Sequence, residues 1–287
     1  MTPEIQFVVM MWGAQTTGKP KSKFSPSNVN NIYLMLQKTQ KKPFRLICVG
    51  DSSEGLRNEI EFVEIPPSVR KEIKDHGGHF AKLYLFSEEF REYFPGRFIF
   101  LDLDVVILDD LADVFYQNEV LTILEGSHYA KIKLFSDPRK HQPGRSISGF
   151  TKAFLKSGFM ASLYYLKYGD RRWCMFNSSF MVVPETRFDV WSGFDTLSAK
   201  QEIKAMGLIG TDQAWLQIRY PAPVNLLTNK DGFWRHKYLK EFLRKNKRLP
   251  EGAKFVAFPG RHGNPWTLRE DRVLRPVVEQ YPHDSQD

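Results

Sequence analysis

The chain has 287 residues, of which 42% are hydrophobic and 14% aromatic, enough to pack a core and too many for a disordered segment. No apolar run reaches the ~20 residues that cross a bilayer, and residues 5–12 lack the basic flank and small-residue cleavage site of a secretory signal. The formal charge of +8 is concentrated: Arg235, Lys237, Lys240, Arg244, Lys245, Lys247 and Arg248 stand against Glu241 alone. Such a stripe is either a solvated helix face or a contact for anionic headgroups, an acidic acceptor or nucleic acid.

In chain order, residues 5–11 form a continuous apolar run that reads as a buried strand. Trp12, Gly13 and a polar stretch then lead into an amphipathic helix over about 27–38. Residues 44–49 repeat the buried-strand signal and stop at Gly50-Asp51, and 61–65 is a weaker strand closed by Pro66-Pro67. Phe80, Leu83, Tyr84 and residues 86–90 fit one helix with a strongly apolar face. Lys82 is the sole basic residue of that face, either snorkelling outward or aimed at phosphate. Residues 97–101 read as a strand that delivers Asp102 and Asp104 at its end. The second half continues with a strand at 120–124, a basic loop at 131–149, a helix at 151–168 and a strand at 174–183. Helical stretches near 189–206 and 211–219, a short strand at 223–226, the basic helix and the segment 255–266 complete the chain.

Alternating strands and helices over the first hundred residues predict an α/β fold, a mostly parallel central sheet flanked by helices, with ligands bound beyond the carboxyl ends of the strands. No internal repeat and no Pro-, Gly- or Ser-rich linker divides the chain, so one domain over 1–287 is expected. Cys48 and Cys174 both lie in apolar runs where a thiol acts as a small hydrophobe, which points to a reducing, cytoplasmic compartment.

Asp102 and Asp104 sit two residues apart in one of the most apolar stretches of the chain. Like charges near a core repel and resist desolvation, so they take up protons or are neutralised by a cation. A hard divalent ion with oxygen ligands, Mg²⁺ or Mn²⁺, meets that need and keeps positions open for phosphate oxygens. The plainer reading is that one aspartate caps the following turn. Neither Gly-x-Gly-x-x-Gly after a strand nor Gly-x-x-x-x-Gly-Lys-Ser/Thr occurs, which removes support from dinucleotide and P-loop readings.

An apolar strand ending in Leu101-Asp102-Leu103-Asp104, followed by apolar residues and Asp109-Asp110-Leu111, resembles the metal site of glycosyltransferases with the nucleotide-diphosphosugar (GT-A) fold. Phe176-Asn177-Ser178-Ser179-Phe180-Met181 is similar to the Phe-Asn-Ser-Gly-x-Met strand of the retaining family that includes glycogenin and lipopolysaccharide galactosyltransferases. Thr211-Asp212-Gln213-Ala214-Trp215-Leu216 resembles its Asp-Gln-x-x-Leu helix start, and Phe258-Pro259-Gly260-Arg261-His262-Gly263-Asn264-Pro265-Trp266 its closing His-Phe-x-Gly-x-x-Lys-Pro-Trp motif. The four segments come in family order. Three positions depart from the pattern: Ala257 stands where the family has a metal-ligating histidine, Asn264 replaces the lysine before Pro-Trp, and Ser179 replaces a glycine.

The resemblance implies a metal-dependent transferase that moves a sugar from a nucleotide-sugar, a UDP-sugar, to a glycan, glycolipid or other anionic acceptor, with retention. Residues 1–110 would be the nucleotide-binding half and 111–287 the acceptor-binding half. It implies Asp102, Asp104 and, in place of residue 257, His262 as metal ligands. Trp12, Gly13, Lys82, Leu103, Ser178, Gly260 and Arg261 would hold the donor, and Asp212, Gln213 and Asn177 would act at the reacting carbon. Asp212 is otherwise a helix N-cap, and Trp12 otherwise a core residue. The basic stripe adds a peripheral membrane contact as an expectation, and nucleic acid is not an expected partner. Two other readings stay open: an inverting transferase or nucleotidyltransferase on the same fold, and a catalytically silent protein whose basic surfaces bind nucleic acid or anionic glycans.

Overall fold

The seven residues Ile5–Met11 form strand β1 because a nearly unbroken apolar run suits a position buried on both faces of a sheet. In the computed structural model, which describes residues 4–12, 24–117, 119–126, 172–185, 188–220 and 223–258, β1 lies inside a seven-stranded sheet. Around it stand β2 (Phe44–Gly50), β3 (Glu61–Glu64), β4 (Phe98–Leu101), β6 (Thr122–Glu125), β8 (Phe176–Val183) and β10 (Asn225–Leu227), in the order β10-β6-β8-β4-β1-β2-β3. β1 pairs in parallel with β2 and β4, β2 with β3, and β10 with β6; β8 alone runs antiparallel, to both β4 and β6. The expected mostly parallel α/β sheet is what the chain forms. Two smaller sheets flank it, β11 (Phe233–Arg235), β12 (Phe255–Ala257) and β5 (Val105–Ile107) in one, β7 (Arg172–Trp173) and β9 (Leu208–Ile209) in the other.

Successive side chains of β1 divide between two cores. Phe7, Val9 and Met11 join Val29, Ile32 and Leu36 of helix α1 (Pro26–Thr39), Val114 and Phe115 of helix α4 (Ala112–Gln117) and the β11-β12-β5 sheet. Val8 and Met10 face Phe80, Leu83, Tyr84 and Phe90 together with Ile203 and Trp215, from helices α5 (Thr196–Ala205) and α6 (Asp212–Arg219). Helix α1 starts where the pattern predicts, with Pro26 in its first turn and Asn28 Oδ1 accepting from the Ser25 N–H at 2.9 Å. Among the described residues, no helix is long and apolar enough to cross a membrane.

Pro66-Pro67, read as the stop of the strand at 61–65, follows the end of β3 and also opens helix α2 (Pro67–His76), since proline is well placed in a first helical turn. Two expectations on helices change. The single helix expected over 80–90 is a 3₁₀ helix, Ala81–Phe86, and a separate α3, Glu88–Tyr93. Ser87 divides them: it is extended, and its hydroxyl accepts from the Phe90 N–H at 3.0 Å, which starts a new helix. The stretch 189–206 becomes helical only at Thr196, behind the Asp195 cap, because Asp189 Oδ1 accepts from the Trp191 and Ser192 amides and holds a turn. The loop at 131–149 and the helix expected at 151–168 lie outside the described residues.

Candidate active site

Asp102 and Asp104 follow the carboxyl end of β4, the place where open α/β sheets bind ligands. The Asp102 amide donates to Ser179 O at 3.0 Å, which fastens this turn to β8. The Asp102 carboxylate meets Lys82 Nζ at 2.6 Å, in a pair only 16% and 21% exposed. Lys82 also donates to Ser178 Oγ at 3.3 Å and lies 5.4 Å from the centre of the Phe100 ring. Its ammonium therefore points inward, onto the first aspartate of the pair.

The backbone that aims Lys82 depends on a glycine pair. Gly77 and Gly78 both adopt left-handed φ, +80° and +73°, ending α2 and turning the chain into the 3₁₀ helix. A Cβ on Gly78 would lie 2.7 Å from Trp12 Nε1, so the indole rests against bare backbone. Trp12 is half-buried and packs on the second core.

Ser178 and Ser179 reach the turn through an irregularity in β8. Along β6, Ile123 pairs with Met181 while the next residue, Leu124, pairs with Asn177, so residues 178–180 form a bulge that arches toward β4. Asn177 Oδ1 accepts from the Ser179 amide at 2.9 Å and holds this arch. All three polar side chains, Asn177, Ser178 and Ser179, are buried. Leu103 faces the first core instead.

Asp104 is 7% exposed and Asp212 5%. Asp212 is the first residue of α6 rather than its N-cap, which is Thr211; the Thr211 hydroxyl donates to Asp212 Oδ1 at 2.8 Å instead of capping the helix. Asp212 Oδ2 is buried with no hydrogen-bond partner among the described residues. Gly210, with φ +154°, makes the approach possible, since a Cβ there would sit 2.9 Å from both Cys174 Sγ and Ala214 Cβ. Burial pulls the Lys82 ammonium toward neutrality, but the nearby Asp102, Asp212 and Asp104 outweigh it and hold its pKa above the ordinary 10.5. Burial, and then Asp212, push the Cys174 thiol up to about 12.

Among the described residues, three carboxylates thus act on the Lys82 ammonium. Among the described residues, no three His, Cys, Asp or Glu side chains form a metal-holding group. The chemistry nevertheless fits a hard cation in part: the available donors are oxygens, and Asp212 offers a buried one that no described residue satisfies. Gln213 is half-buried on the same helix. Gly13, Gly260, Arg261 and His262 lie outside the described residues. Phe258, immediately before that last group, donates its amide to Asp104 O at 2.9 Å.

Two residues here were given no role at the site from the sequence. Arg235, assigned to the basic stripe, instead ends β11, is 7% exposed, and donates from Nη1 to Gly126 O at 2.7 Å. Burial lowers its pKa to about 10, against small opposing effects from Tyr238 and Cys174. The signal was its place directly after the apolar Phe233-Trp234. His236 stacks on Phe258 with ring centres 5.6 Å apart and planes 13° from parallel, and burial lowers its pKa.

No protein-family model and no curated protein matches the chain. Among solved structures, the galactosyltransferase LgtC in complex with donor and acceptor sugar analogues aligns with a TM-score of 0.55 at 10% identity, over 98% of each chain. An active-site mutant of LgtC aligns with a TM-score of 0.52 at 9% identity, again over 98% of each chain. At such identity the likeness concerns architecture, and the architecture agrees with the resemblance seen in the four motifs: the chain has the GT-A fold.

Proposed function

We propose that the protein is a glycosyltransferase that moves a sugar from a nucleotide-sugar, a UDP-sugar, to a glycan or glycolipid acceptor, with Mn²⁺ or Mg²⁺ as its cofactor. One observation carries the reading: on a GT-A fold, Lys82, Asp102, Asp104 and Asp212 converge beyond the end of β4, largely shielded from solvent. Charged groups gathered and shielded at the ligand-binding edge of an α/β sheet mark a functional site.

Asp102 and Asp104 would hold the cation, with His262 as the third ligand. When bound, the cation stabilises the charge that develops on the departing nucleoside diphosphate. Trp12 and Gly13 flank the base and ribose. Lys82 and Arg261 contact the diphosphate, so Lys82 exchanges part of its hold on Asp102 for phosphate oxygens. Ser178 and Gly260 border the sugar. Asp212, Asn177 and Gln213 grip its hydroxyls and offer electron density to the oxocarbenium-like carbon, while the acceptor approaches on the leaving-group side and configuration is retained. The active site of LgtC contains the glutamine altered in its mutant, and Gln213 is the candidate for that role here.

Calorimetric titration of UDP into the protein with Mn²⁺, with EDTA, and with Asp104→Ala tests this reading. The expected result is binding that needs both metal and Asp104, with a loss of at least about 100-fold without either. Metal-independent binding, or none, would sink it and favour the silent-protein alternative, to which the buried Ala257 at the usual ligand position lends support.

A further inference from the structure

The basic helix α7 (His236–Asn246) follows Arg235 and packs Leu239 and Leu243 into the first core. Lys237, Glu241, Arg244 and Lys245 recur at i, i+4, i+7 and i+8, so they share the opposite face, and all four are exposed, as are Lys247 and Arg248 just beyond. Among the described residues, none of these five cations forms an ion pair. Glu241 is the only acid among them.

Helix electrostatics account for Arg244 and Lys245, which occupy the last turn, where cations are favoured. They do not account for the others. Lys237 lies in the first turn, where a positive charge opposes the helix dipole. Lys247 terminates the helix at φ +58°, the only non-glycine residue with positive φ among those described, at a position that glycine occupies with less strain. Two cations are thus kept against the preference of their own element.

We infer that this face of α7 is a docking surface for an anionic lipid bilayer. A short cationic helix face matches a plane of negative headgroups. Half-buried Tyr238 and Phe242 border it on one side, suiting the headgroup level, where aromatic rings settle. The inference is independent of the donor-site reading.

Sedimentation of the whole protein with vesicles of phosphatidylcholine, and with vesicles of equal parts phosphatidylcholine and phosphatidylglycerol, tests it. Binding is expected to the anionic vesicles only and to be reversed by salt. Replacing Lys237, Arg244 and Lys245 together by glutamine is expected to weaken it on the order of 100-fold, roughly fivefold per charge. Lys247→Gly separates the charge from the fold: its Tm is expected to rise by about 2 °C while vesicle binding falls about fivefold. Absence of binding to anionic vesicles, equal binding by the triple variant, or tighter binding to a DNA duplex at the same salt would each overturn the inference.

Discussion

Lys82 is the residue on which the most charge depends. Lys82→Met would leave the Asp102 carboxylate, with Asp104 and Asp212 beside it, facing one another without their cation. The expected cost is about 3 kcal/mol at neutral pH, read from urea denaturation. Because the folded-state pKa of Lys82 lies above the ordinary 10.5, its contribution is complete at neutral pH and is lost as the pH rises past 10.5 through the raised value. The native protein should therefore lose urea resistance over that alkaline range, and Lys82→Met should lack that component of the loss. Gly78→Ala tests the backbone behind it. Strain at φ +73° and collision with Trp12 are expected to cost about 2 kcal/mol in the same assay. Part of this was legible in the sequence, since two aspartates at the end of an apolar strand announce themselves by their desolvation cost. The residue pattern left Lys82 either outward or inward, and only the family resemblance placed residues 82, 178 and 212 at one site, because their meeting is made by the tertiary fold.

The long strands β1, β2, β4, β6 and β8 were the most legible elements, each marked by an apolar run, whereas the two- and three-residue strands β5, β7, β9 and β11 are too short to leave such a mark. Helices whose ends rest on one local hydrogen bond were less so, as Ser87 and Asp195 show, for the same residue types also occur in turns. The bulge in β8 that carries Asn177, Ser178 and Ser179 to the site leaves no mark on the residue pattern, because it exists only in the register with β6. Contacts between helices were equally hidden. Thr196, first residue of α5, donates to Glu72 Oε2 of α2 at 2.5 Å in a buried setting. Thr196→Val would strip that oxygen of its donor, with an expected loss of about 2 kcal/mol in denaturation, and Thr196→Ser should recover most of it.

Across the whole molecule, the two buried thiols report on global opening. Burial and then Asp51 push Cys48 up to about 12, and Cys174 stands at about 12 as well, so neither carries thiolate at neutral pH. A chromogenic disulfide reagent is expected to label both only as fast as the native chain opens, and at once in strong urea. Rapid labelling of the folded protein would show that one of the two cores is looser than its packing indicates.

The amide of Phe258 closing on Asp104 O ties the candidate metal turn to a strand made much later in the chain. The central sheet can be assembled from residues up to β10, but among the described residues the strand partner of β5 is β12, roughly 150 residues beyond it, a separation that makes such pairing slow. During synthesis the Asp102 end of the turn can be held by Ser179 and Lys82 while its Asp104 end waits for Phe258, so a chain that stalls short of β12 can have most of a core while lacking a finished site.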